Sequence, residues 1–150
     1  MIVLDTSILV YAVGEDDPLR EPCRRVIAAH GAGAIDAAVT IDVIAEFAHV
    51  RARRRPRADA VALARGYRTA LPIVETTGSD LDHALELFQS HPGLNMLDAV
   101  LAAVAIANGA EALISADHGF AGIPRLNWVD PASSDLDVLL SGSLGGEPSG

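Results

Sequence analysis

Apolar residues along this chain follow two spacings. Short unbroken runs such as Ile2-Val3-Leu4 and Ala112-Leu113-Ile114 alternate with longer stretches in which apolar positions return at helical intervals. The runs predict strands near 1–5, 35–39, 72–76, 112–115 and 126–129, with helices between them. An unbroken run, rather than in-and-out alternation, marks a strand covered on both faces. Strands separated by helices therefore predict an α/β domain with a parallel sheet sandwiched between helical layers.

Start and stop residues fit the helical stretches. Pro18 suits the first turn of a segment reaching His30, which Gly31 and Gly33 then stop. Thr40 can cap a helix over 41–53 in which Ile44, Phe47, Ala48 and Arg51 share a face, and Pro56 ends or kinks it. Ser79 and Asp82 have capping-box spacing for a helix over 80–90, closed by Pro92-Gly93. Asn95 caps 96–108, apolar on nearly every side except at Asp98, so this helix is expected to be buried. Beyond Pro131 the period fades and the chain finishes in a Gly/Ser-rich tail. The expected organisation is one domain over 1–131 with an extension over 132–150, disordered from about 141.

Composition narrows the function classes. The chain has 150 residues, half of them hydrophobic, enough for a compact core. No apolar stretch approaches the ~20 residues that cross a bilayer, and no signal-like segment opens the chain, so a soluble cytoplasmic protein is expected. A single cysteine, Cys23, leaves no internal disulfide or thiolate zinc cage and reads as a small hydrophobe on a helix. Net charge is −9, and all 11 basic residues are arginines. Such a chain binds a polyanion only through a local basic patch or through cations held by its carboxylates. A patch exists: five arginines fall within Arg51–Arg57.

Of the 20 acidic residues, four are placed against the core by the pattern. Asp5 ends the first strand. Glu46 lies beside Ile44 and Phe47, Asp98 in the first turn of the apolar helix, and Asp117 just after the strand ending at Ser115. Each alone has a plain structural reading: Asp5, Asp98 and Asp117 as helix-start residues, Glu46 as a rim charge beside Asp42. Gathered at the carboxyl ends of parallel strands, however, they repel unless a cation joins them. With no lysine available and the arginines bunched elsewhere, a divalent ion is the economical partner. An oxygen-only set suits Mg²⁺ or Mn²⁺ and not zinc. Of the five histidines only His118 lies near this group.

These residues carry a resemblance. Met1-Ile2-Val3-Leu4-Asp5-Thr6-Ser7, Glu46 within Val43-Ile44-Ala45-Glu46-Phe47, Asp98 within Leu97-Asp98-Ala99, and Ser115-Ala116-Asp117 together resemble the PIN-domain ribonucleases, in particular VapC-type toxins of bacterial toxin–antitoxin pairs. The resemblance implies a three-layer sandwich around a five-stranded parallel sheet. It also implies a Mg²⁺- or Mn²⁺-dependent endoribonuclease whose metal is held by Asp5, Glu46, Asp98 and Asp117, with Thr6 and Ser115 as supporting hydroxyls. A homodimer and a cognate antitoxin, whose C-terminal segment lies across a groove, are implied as well. The pattern departs at Ala116, where relatives often carry a basic residue.

Arg51, Arg53, Arg54 and Arg55 begin one turn beyond Glu46 and are expected to contact RNA phosphates, although a charge run before a proline is also a common solvated helix end. Tyr11, Phe47, Tyr67, Phe88, Phe120 and Trp128 read mostly as core, so no base-stacking surface is evident. Receiver-type phosphoacceptors and haloacid-dehalogenase-like phosphatases both need a lysine, and glycine-rich nucleotide loops are absent. The competing reading is a PIN-like module that has lost catalysis and binds protein or RNA.

Overall fold

A computed structural model describes residues 1–142. Strand β1 (Ile2–Leu4) leads into α1 (Thr6–Ala12) and α2 (Arg20–Gly31), then β2 (Ala37–Ala38), α3 (Ile41–Ala52), α4 (Arg57–Ala70), α5 (Gly78–Ser90) and α6 (Met96–Ala107). Strand β3 (Ala112–Ile114), a 3₁₀ turn (His118–Phe120), β4 (Trp128–Val129) and α7 (Ser134–Gly142) complete it. The sheet runs β2-β1-β3-β4, every pair parallel, with Ile2 opposite both Ala37 and Ala112. All residues of β1 and β3 are buried, as their unbroken apolar runs require. Chain order reverses across β1 and β3, and such a switch opens a crevice beyond the strands' carboxyl ends.

The fold is the expected PIN-like α/β sandwich, but the described sheet has four strands rather than five. The segment near 72–76 contributes one bridge, Ile73 against Val39. Val39 N–H donates to Pro72 O and Val74 N–H to Val39 O, at 3.0 and 2.8 Å. Pro72 brings no N–H of its own to a ladder, and only a few residues separate the bridge from the cap of α5. That cap is a further correction: the box is Thr77 with Asp80, not Ser79 with Asp82. Thr40 and Asn95 cap α3 and α6 as expected, accepting from Val43 N–H and Asp98 N–H.

Packing fixes the helices that carry the acids. Phe47 of α3 meets Tyr67 of α4 edge to face at 5.0 Å, and the Tyr67 hydroxyl donates to Leu9 O at 2.9 Å. Arg51 ties α3 to α4 through Asp59 (2.7 Å) and to the end of α1 through Val13 O (3.3 Å). Cys23 is buried, and its thiol is pushed up to about 12 by burial and then by nearby Asp17. Periodicity does not end the folded part at Pro131: α7 follows, with Leu136 in the core and Asp137 paired with Arg25 at 2.8 Å. The tail expected to be disordered lies, from residue 143 onward, outside the described residues. Among those described, no helix is long and apolar enough to cross a membrane.

Candidate active site

Asp5 follows β1, and its backbone N–H bonds Ile114 O at 3.0 Å, so it stands where the strand order reverses. It occupies the cap position of α1 without side-chain capping. Its Oδ2 accepts instead from Ser7 Oγ (2.9 Å) and Ser115 Oγ (2.7 Å). Ser115 Oγ in turn accepts from Asp117 N–H at 2.9 Å, and Ser7 Oγ from Ala116 N–H at 3.1 Å. The first strand's exit is thereby laced to the third strand's exit. Glu46 reaches the same place from α3, accepting from Thr6 Oγ1 at 2.9 Å.

Asp98 enters from α6. It is nine-tenths buried, and its carboxyl is pushed up to about 8, first by burial, then by the charge of Asp5, a hydrogen bond with Asp117, and the charges of Asp117 and Glu46. Every other member of the sequence-derived quartet thus acts on Asp98. Asp5, Glu46 and Asp98 line one crevice of about 10 Å³, the space of a single water-sized sphere. Asp117 stands exposed at its rim and keeps its own turn closed by accepting from Gly119 N–H at 2.8 Å. Of the plain capping readings, that of Asp117 is met and that of Asp5 is not.

Charge compensation is missing here. No ion pair among the described residues involves any of the four acids. No three side chains already stand in an ion-holding arrangement among the described residues. The donor set nevertheless fits a hard cation: oxygen ligands only, with one carboxyl that keeps its proton near neutrality because it is buried and, next, because its neighbours are anionic. Asp5 and Asp98 face the crevice with most of their surface buried, where an uncompensated charge is costly.

Sequence reasoning overlooks three contributors. Asp42 lines the crevice one turn before Glu46, a spacing that places both on one face of α3. Thr40 lines it as well. Ser7 is the second hydroxyl on Asp5, and its position two residues beyond that acid was the available signal. The arginine run lies at the far end of α3 and in the turn that follows it. Arg51, Arg54 and Arg55 line a separate cavity of about 240 Å³ with Tyr11 and Phe47. Arg51 is committed to Asp59 and Val13, Arg55 lies 3.8 Å from Glu15, and Arg53 contacts His49.

Comparison with known proteins identifies the family. The PIN domain family matches residues 2–126. The chain belongs to that family, in its VapC-type branch. It is 48% identical over 145 residues to Ribonuclease VapC7 of Mycobacterium tuberculosis, covering 93% of this chain and 98% of that protein. Ribonuclease VapC23 of the same species is 33% identical over 129 residues, covering 83% and 99%. Among solved structures, VapBC2 from Rickettsia felis bound to a promoter DNA fragment and a toxin–antitoxin complex from Klebsiella pneumoniae superpose with TM-score 0.68. Each covers 87% of this chain and 98% of the matched chain, at 20% and 19% identity, which speaks to the fold alone.

Proposed function

We infer that this chain is a metal-dependent endoribonuclease, the toxin of a toxin–antitoxin pair. One observation carries the reading: four acids from separate elements meet at the switch point of the sheet, and none has a basic partner among the described residues. Asp5 and Asp98 would hold a divalent ion such as Mg²⁺ or Mn²⁺, with Glu46 and Asp117 beside them as further oxygen donors. When bound, such an ion acidifies a ligated water and neutralises charge on the scissile phosphate. The remaining work belongs to the protein. Ser7 and Ser115 both bond one oxygen of Asp5, which fixes the carboxylate at the crevice. Thr6 does the same for Glu46. Hydrolysis by water, rather than by a neighbouring 2′-hydroxyl, leaves a 5′-phosphate and a 3′-hydroxyl.

Exposed Arg53, Arg54 and Arg55 supply phosphate contacts beyond the crevice, while Arg51 braces α3 against α4. An antitoxin partner belongs to this reading, in keeping with the two toxin–antitoxin complexes that share the fold. So does a homodimer, for which Leu81, Leu85 and Phe88 offer an apolar stripe, each about half exposed on one face of α5. The decisive test maps RNA ends in whole cells after induced expression of wild type and Asp5→Asn. New 5′-phosphate ends restricted to wild type are expected. An inactive binding module would leave both profiles alike.

A further inference from the structure

The crevice has a neighbour that catalysis as described leaves idle. Asp117 opens a 3₁₀ turn whose next residue, His118, exposes 77% of its side chain. The ring is nevertheless fixed. Its Nε2 lies 3.2 Å from Asp130 Oδ2, and its centre lies 5.2 Å from that of the Trp128 ring at an inclination of 60°. Trp128, which the pattern assigns to the core, is only half-buried. Its indole N–H donates to Ser115 O at 2.9 Å, and the Ser115 hydroxyl is one of the two on Asp5.

The turn itself is held against the loop before α6. A Cβ on Gly119 would stand 2.5 Å from Gly93 O, so only glycine permits this approach. Two aromatic rings are thereby fixed beside the acids, one of them open to solvent. Ordering an exposed ring buries little apolar surface, so folding gains little from it. A pre-ordered exposed ring does lower the entropy cost of a ligand that stacks on it. Single-stranded RNA is such a ligand: its unpaired bases stack on aromatic side chains, His included. A phosphate seated at the crevice brings the two flanking bases to its rims.

We propose that His118 and Trp128 form a stacking ledge for an unpaired RNA base next to the scissile phosphate. The ledge rests on the ribonuclease reading and assigns it a substrate contact. Trp128 is the chain's single tryptophan, so its fluorescence reports the ledge directly. The test titrates the full-length Asp5→Asn chain with a short mixed-sequence single-stranded RNA and with an abasic strand of equal length, following fluorescence and anisotropy together. RNA should quench Trp128 along the binding curve, and the abasic strand should bind more weakly without quenching. In the otherwise wild-type enzyme, His118→Ala should raise KM about 5–10-fold with kcat within about twofold, a modest share of one base–aromatic stack.

Binding seen by anisotropy with unchanged fluorescence overturns the ledge and leaves the nuclease standing. So does equal quenching by the abasic strand, or a His118→Ala enzyme with unaltered KM. Failure of the wild type to cut RNA and of Asp5→Asn to bind it removes the nuclease reading itself, and the ledge with it.

Discussion

Helices α5 and α6 begin alike and diverge at one carboxylate. Each has a polar cap, Thr77 or Asn95, and each places an aspartate three residues later, Asp80 or Asp98, nearly fully buried. Asp80 turns its Oδ2 back to Thr77 N–H at 2.8 Å and closes its own helix. Asp98 gives only its backbone N–H to Asn95, while its carboxyl faces Asp5, Asp117 and Glu46. The same residue at the same helix position serves the fold in one case and strains against it in the other. The direction of the side chain decides.

The largest test of this contrast is catalytic. Asp98→Asn should lower RNA cleavage by more than about a hundredfold, beyond the loss expected of a residue that merely supports a ligand. Asp80→Asn should leave kcat intact, at a stability cost of about 0.5–2 kcal/mol for a weakened cap. Equal losses of activity in both variants would erase the distinction.

The pH response comes next. Asp98 is held at about 8 in the folded chain against 3.8 ordinarily. Below pH ~4 the carboxyl is protonated whether the chain is folded or not, and contributes no difference. From there to about pH 8 the unfolded chain releases the proton while the folded chain retains it, so stability falls as pH rises and the loss is complete above that range. Urea unfolding in chelator at pH 5, 7 and 9 should show this decline in wild type, by a few kcal/mol, and a flatter profile in Asp98→Asn.

Smaller effects sharpen the picture. Ser7→Ala should cost about tenfold in cleavage, because Asp5 keeps the Ser115 hydroxyl. Arg54→Glu with Arg55→Glu should weaken RNA binding and reduce its salt dependence without moving the cleavage site, whereas Arg51→Ala should lower thermal stability first. Phe88→Asp should convert a dimer to a monomer in light scattering.

Much of this was legible in the order of residues. The unbroken runs of β1 and β3, the all-apolar α6, and Asp5 and Asp117 just past the ends of β1 and β3 are strong local signals, because burial on both faces of a strand leaves little choice of side chain. Competing signals of equal strength were not separable. Thr77-x-x-Asp80 and Ser79-x-x-Asp82 have identical spacing, and only the path of the chain after the Ile73 bridge selects the first. The fifth strand shrinks to a bridge because pairing depends on the neighbour's length as well as on apolar content. Helix α7 escapes notice because only Leu136 among its described residues is fully buried, with Leu139 and Leu140 packed partly buried against the core. Phe88 and Trp128 resemble core aromatics by type, yet their surroundings leave them partly open.

Binding of a divalent ion by the acids around Asp98 is the property on which the proposed catalysis depends. Thermal unfolding of wild type and Asp98→Asn, each titrated with Mn²⁺ from a chelated start, measures this without reference to RNA. A saturable rise in Tm in wild type, lost or strongly reduced in Asp98→Asn, is the predicted result. Matching shifts in the two proteins, or none in either, would contradict it.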